Sequence, residues 1–274
     1  MAQLLARPEP SELTLRVLSA AVILPLAIAA IWLGDWYFAA FIFLIATAMS
    51  WEWTRLCRAG SGLRIVFFAS VLIAVVLSFA GYFREAFGCA AVGALFLAVA
   101  ARIGKADAPL LLPFGVVYLS LALLAVFWVR FSEAAGLATF LWMIAVVVAT
   151  DIGAYFAGRT IGGPKLAPRV SPSKTWSGLA GGVICAACAG AVVLAIVGGK
   201  GYPLIAALSG ALAVVAQVGD LVESGVKRHF GAKDAGNIIP GHGGVLDRID
   251  GFLTVAPATA LMTMIAGGSP LQWQ

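Results

Sequence analysis

Asp220, Asp247 and Asp250 stand close together in a chain that is otherwise apolar, with Lys227, Arg228 and Arg248 interleaved among them. Carboxylates clustered at the edge of a low-dielectric region repel one another unless a cation joins them. Hard oxygen ligands of this kind suit Mg²⁺, which takes one or two carboxylates and completes its shell with substrate phosphates. Carboxylates, lysines and arginines together are the parts of a metal-assisted phosphoryl or nucleotidyl transfer site. The competing reading is a network of structural ion pairs.

Spacing sharpens the first reading. Gln217, Asp220, Ser224 and Lys227 recur at i, i+3, i+7 and i+10 and share one face of a helix. Asp247 and Asp250 are three apart at the start of the last apolar run, so they also point one way. Gly243-Gly244 just before them permits a tight turn and close approach of backbone to a ligand. The helix start that follows favours an anion nearby. His242, between glycines, could bond a phosphate or hold the turn, and His229 is expected on a solvated face. Glu223 and Asp234 are either ligands or partners of Lys227 and Arg228.

A second polar stretch lies upstream, from Asp151 to Gly178, with Ser171-Pro-Ser-Lys174-Thr175-Trp-Ser177-Gly178 at its core. An acid at the end of an apolar run costs a few kcal/mol against lipid, so Asp151 should face protein or water. Gly158, Gly162, Gly163, Pro164, Pro168 and Pro172 make the rest a loop whose backbone N–H groups, hydroxyls and bases can grip phosphates. It is not a Walker A loop, because GxxxxGK[ST] is absent. An ordinary basic loop is the alternative.

The elements that must position these groups follow from composition. Of 274 residues, 62% are hydrophobic and 11% charged, against about 25% charged in a soluble domain. Soluble, disordered and fibrous classes are excluded, and continuous apolar runs exclude a membrane β-barrel. The remaining class is an all-α polytopic integral membrane protein. Nine spans are expected, near 15–34, 36–51, 65–82, 86–101, 110–129, 134–150, 178–198, 202–218 and 251–268, the second and fourth being short. The first apolar run reads as a retained span rather than a cleaved signal.

The bases orient the chain. With the N-terminus in the cytoplasm, Arg7, Arg16, Arg55, Arg58, Arg64, Arg102, Lys105, Arg159, Lys165, Arg169, Lys174, Lys227, Arg228, Lys233 and Arg248 fall inside. Only Arg84, Arg130 and Lys200 fall outside, as the positive-inside rule requires. The odd number of spans places the C-terminus outside. Trp32, Trp36, Trp51, Trp53 and Trp128 sit near span ends, as interfacial anchors do. A net charge of +5, spread over short loops, does not describe a nucleic-acid binder. Cys185-x-x-Cys188, inside an apolar run, reads as packing rather than a redox or zinc pair, and no disulfide is expected among Cys57, Cys89, Cys185 and Cys188. Gly178-x-x-x-Gly182 reads as a helix-packing surface. Residues 1–130 are expected to be a transmembrane scaffold. Residues 131–274 are expected to be a catalytic region with cytoplasmic loops 151–177 and 219–250.

One stretch carries more than composition. Ser224-x-Val226-Lys227-Arg228-x4-Lys233-Asp234-x-Gly236-x2-Ile239-Pro240-x-His242-Gly243-Gly244-Val245-x-Asp247-Arg248-Ile249-Asp250 resembles the signature of the phosphatidate cytidylyltransferases, the CDP-diacylglycerol synthases. Asp151-Ile-Gly-Ala-Tyr155, Gly158-Arg159, Ser171-Pro-x-Lys174-Thr175 and Gln217-x-Gly219-Asp220-x-x-Glu223-Ser224 resemble segments of that family too. Ser177 stands where many relatives carry Glu or Gln. The likeness covers about residues 140–255, while 1–130 match only in length and hydropathy.

The resemblance implies transfer of CMP from CTP to phosphatidate with a divalent metal, releasing pyrophosphate, for phospholipid synthesis. Asp220 and Asp247 are expected to hold Mg²⁺, with Asp250 and Asp151 completing a second cation site or orienting the first. Asp220, Lys227, Asp247 and Asp250 form the expected catalytic set. Lys227, Arg228 and Arg248 would bind phosphates, as would Ser171, Lys174 and Thr175, with Ser224, His242, Gly243 and Gly244 also at the substrate. The site would face the cytoplasm from a prokaryotic inner membrane, in a homodimer. A cytidylyltransferase for another lipid phosphate, such as an isoprenoid ether analogue, and an ion-coupled transporter are the alternatives. The acids gather at one membrane face rather than the midplane, which disfavours the transporter. The D-x2-D-G-x2-A-R pattern of CDP-alcohol phosphotransferases is absent.

Overall fold

The apolar runs form nine long helices in the computed structural model, which describes residues 12–104, 108–131 and 134–273. Arg7, Lys105 and Gln274 lie outside the described residues. In chain order the helices are α1 (Glu12–Leu33), α2 (Asp35–Leu56), α3 (Ser61–Phe79), α4 (Phe83–Ile103), α5 (Leu111–Phe131), α6 (Gly136–Thr160), α7 (Trp176–Val197), α8 (Tyr202–His229) and α9 (Leu246–Ala266). Eight of them meet the length and hydropathy of a membrane span. The exception, α2, is still 22 residues long, or about 33 Å, enough for a hydrocarbon core of about 30 Å. Its charges Asp35, Glu52 and Arg55 lie toward its ends. The second and fourth spans are therefore full-length rather than short.

The polar segments are more ordered than expected. Asp151 does not close α6, which continues to Thr160. The stretch expected as one loop, 151–177, is the end of α6 followed by a hairpin of β1 (Lys165–Ala167) and β2 (Ser171–Thr175). The two strands pair antiparallel, Lys165 opposite Thr175 and Ala167 opposite Ser171. This hairpin is the one sheet among the described residues. Likewise α8 runs through to His229 and α9 begins at Leu246, so the second loop is 230–245 rather than 219–250.

The bundle is built around α5, two thirds of whose span is buried, while α1 has almost none. Phe38 of α2 meets Phe127 and Phe131 of α5 and Phe140 of α6 edge to face, with Phe131 at the exposed end of the cluster. Polar groups inside a bilayer must find partners within the protein. Trp142 Nε1 donates to Ser209 Oγ at 2.9 Å, joining α6 to α8. Trp128 Nε1 donates to Thr263 Oγ1 at 3.1 Å, joining α5 to α9. Trp53 is wholly buried and donates to Leu111 O at 3.0 Å. It is a packing residue and not the interfacial anchor its position suggested, whereas Trp32 and Trp36 are exposed.

Glycines let α6 and α7 lie against each other. A Cβ on Gly182 would stand 3.0 Å from Thr150 O, and one on Gly178 2.9 Å from Ala154 O. The Gly178/Gly182 pair therefore is a packing surface. Gly219 does the same between α8 and α9, where a Cβ would lie 2.7 Å from Asp250 O. Cys57, Cys89, Cys185 and Cys188 are all free thiols.

Candidate active site

Two polar groupings meet at the end of the bundle that carries the hairpin and the 230–245 loop. The first surrounds a cavity of about 540 Å³ lined by Asp151, Tyr155 and Arg159 of α6, Lys174 of β2 and Gln217 and Asp220 of α8, among others. Helix periodicity puts Gln217 and Asp220 on one face, and Lys174 joins them. Its Nζ donates to Gln217 Oε1 at 2.9 Å and forms an ion pair with Asp220. Ser224, one turn on, donates to Asp220 Oδ1 at 3.2 Å. Thr175 is buried and caps α7, its Oγ1 accepting from Gly178 N at 3.0 Å. That cap fixes the end of the hairpin next to Lys174. Ser177 Oγ bonds Gly162 O and Thr175 Oγ1, so it closes the same turn.

The second grouping lies where α8, α9 and the loop meet. Lys227 Nζ is 2.6 Å from Asp247 Oδ1 and 3.3 Å from Glu223 Oε2, with side-chain exposures of 11%, 7% and 2%. Asp247 Oδ2 accepts from Ala235 N at 2.9 Å and Gly244 N at 3.1 Å. Both oxygens of Asp247 are thus engaged, and a Cβ on Gly244 would stand 2.8 Å from Oδ2. Glu223 is buried, and neither of its oxygens carries a hydrogen bond.

Asp250 stands between the two groupings. Its Oδ1 accepts from Gly251 N at 2.7 Å, and it is exposed to the charges of Asp220 and Asp151. Asp220 therefore shares its surroundings with Asp250 and Asp151, whereas Asp247 belongs with Lys227. Among the described residues no three carboxylate, histidine or cysteine side chains already converge on one point. The donor set nevertheless suits a divalent cation. Asp151, Asp220, Glu223, Asp247 and Asp250 are hard oxygen donors, and among the described residues their ion pairs are with Lys174 and Lys227, while the oxygens of Glu223 lack hydrogen bonds.

The remaining expected residues fall around the rim. Arg248 is exposed in the first turn of α9. Arg228 donates to Ala232 O at 3.0 Å and Val170 O at 3.3 Å, tying the end of α8 to the hairpin turn. Ser171 lies in β2, half-buried. Gly243 has φ +88° and its N–H bonds Ile239 O at 3.1 Å, closing the turn that holds His242. Lys233, Asp234 and His229 are exposed.

Sequence reasoning missed the part played by the first 130 residues. Glu52 of α2, 1% exposed, accepts from Val245 N and Leu246 N, each at 2.9 Å. Ser19 Oγ lies 2.8 Å from His242 Nδ1, and Arg16 Nε donates to Gly241 O at 2.9 Å. Tyr118 of α5 faces Glu223, Asp250 and Asp220, its hydroxyl buried without a hydrogen bond. One signal was available: Glu52 is an acid within Trp51-Glu-Trp53 at the end of an apolar run, and intramembrane acids mark sites.

Fold and site define a helical integral membrane protein with a cavity at one end of its bundle where two carboxylates meet a lysine. The chain belongs to the cytidylyltransferase family, whose defining pattern matches residues 14–266, and is a nucleotidyltransferase. It is 40% identical over 257 residues to a phosphatidate cytidylyltransferase of Brucella suis biovar 1 (strain 1330), covering 90% of this chain and 91% of that one. The same figures hold for the protein of that name in Brucella melitensis biotype 1. A phosphatidate cytidylyltransferase of Bacillus subtilis (strain 168) is 45% identical over 131 residues, 47% of this chain and 48% of that one.

Proposed function

We propose that this chain is a phosphatidate cytidylyltransferase, converting CTP and phosphatidate to CDP-diacylglycerol and pyrophosphate. The observation that carries the reading is the cavity in which Lys174 meets Asp220 and Gln217 beside Asp151. It lies within the segments that carry the family signature, and full-length likeness to relatives of that name supports the same substrates.

A phosphate oxygen of phosphatidate attacks the α-phosphorus of CTP as the bond to the β-phosphate bridging oxygen breaks. Pyrophosphate leaves with that electron pair. The nucleophile is ionised at neutral pH, so no general base is required. Lys174 and Lys227 are the ammonium groups nearest the carboxylates and meet the incoming phosphates. Arg248 and Arg228 add charge at the rim, where Ser171, Ser224 and the His242-Gly243-Gly244 turn border the path of the nucleotide. Asp220, Asp250 and Asp151 are the side chains to hold Mg²⁺, which when bound supplies charge neutralisation at the reacting phosphates and the departing pyrophosphate. Asp247 holds Lys227 and the loop through the bonds described above and acts beside that set. Tyr155, Phe156 and Ile152, exposed on α6, and Trp176, exposed at the start of α7, give this end of the bundle an apolar rim for a lipid substrate.

The positive-inside distribution supports a site at the cytoplasmic face of the inner membrane, the side that holds CTP. A homodimer belongs to the same proposal. The test is purified protein with cytidine-labelled CTP, Mg²⁺ and phosphatidate vesicles. Label should enter the lipid phase with one pyrophosphate released per cytidylyl group. Label accumulating inside sealed vesicles without a lipid product would overturn the reading.

A further inference from the structure

We infer that Glu52 is a positioning residue: from the end of α2 it caps the first turn of α9 and so fixes the loop and helix that carry Asp247 and Asp250. The first N–H groups of a helix have no partner within it, and Val245 brings no capping side chain to α9. Glu52 supplies the missing acceptors from another helix, one oxygen to Val245 N and the other to Leu246 N, both at 2.9 Å. A carboxylate there also meets the positive end of the helix dipole. The loop is shaped to reach it. A Cβ on Gly244 would stand 2.9 Å from Glu52 Oε1, and one on Gly236 2.9 Å from Glu52 Cδ.

Two glycines of the signature thus allow backbone to close over a carboxylate from outside the signature. Asp247 takes its own bonds from Ala235 N and Gly244 N of that loop and holds Lys227. Loss of Glu52 frees the start of α9 and lets both groups drift, and a displacement of about 1 Å in a catalytic constellation costs up to 10²-fold in rate. The inference rests on the proposed reaction for its effect on turnover, and on geometry alone for the cap.

The experiment compares full-length wild type, Glu52→Gln and Glu52→Leu in detergent micelles. It measures hydrogen exchange at the Val245 and Leu246 amides without substrate, and kcat and KM for CTP per folded molecule. Gln keeps one acceptor and Leu keeps none. Amide protection and kcat should fall together in the order wild type, Gln, Leu. The Leu variant should lose about 10- to 100-fold in kcat, with KM for CTP within threefold and exchange in α5 unchanged. The inference is overturned if Val245 and Leu246 stay protected in the Leu variant, if its kcat stays within twofold of wild type, or if both variants loosen the whole bundle alike. Should wild type transfer no cytidylyl group, the proposed reaction fails, and the amide pattern still decides the cap.

Discussion

Lys227→Met tests the second polar grouping most directly. Methionine has nearly the length of lysine and no charge, so the perturbation removes an ammonium and little volume. Asp247 Oδ1 loses its partner at 2.6 Å and Glu223 loses its counter-charge at 3.3 Å. Glu223 has no hydrogen bond to fall back on, and Asp247 keeps only Ala235 N and Gly244 N on its other oxygen. Breaking a buried pair by deleting one partner costs about 3–5 kcal/mol, because the other charge remains buried. Asp247→Asn added to Lys227→Met removes one stranded charge, so the double variant should be more stable than the sum of the singles by about 2 kcal/mol. Equilibrium unfolding in mixed micelles, followed by tryptophan fluorescence, measures all four corners of the cycle. Turnover of Lys227→Met should fall by about 10²- to 10³-fold, the cost of removing one donor to developing charge. A single variant unfolding within about 0.5 kcal/mol of wild type, the usual scatter of inert surface changes, would show that Lys227 does not neutralise these acids and refute the argument.

Three further outcomes are expected. EDTA should abolish cytidylyl transfer and Mg²⁺ should restore it, while Asp220→Asn should lower turnover by about 10²-fold or more with membrane insertion unchanged; activity indifferent to chelator would remove the cation from the scheme. Gly219→Val should force α8 and α9 apart, since a Cβ there meets Asp250 O at 2.7 Å. Overpacking of this kind costs about 1–3 kcal/mol, and the unfolding assay should show it alongside lost turnover through displacement of Asp250.

The spans were legible because each depends on its own hydropathy: among the described residues the nine runs are nine long helices, eight of them apolar enough to span, displaced at their ends by polar residues that a hydropathy reading cuts off. Thus α8 continues to His229 because Asp220, Glu223 and Lys227 find partners on neighbouring elements. Hydropathy gives no sign of the hairpin at 165–175, whose pairing depends on backbone bonds between polar residues. Buried Trp53 was misread for a related reason: end-of-span position says where a ring sits in depth but not whether α5 covers it.

By itself the sequence determined the membrane class, the concentration of acids and bases at one end, the shared face of Gln217 and Asp220, and a signature that leads to one family. Those properties are local, set by composition and by the 3.6-residue period. Only the tertiary structure decided which charges face each other across helices. It put Lys174 on Asp220, gave Asp247 to Lys227, and brought Glu52 of the expected scaffold to the first turn of α9. Helix packing sets those meetings, through close approaches such as Gly219 on Asp250, and no spacing along one chain segment encodes the angle at which another will cross it.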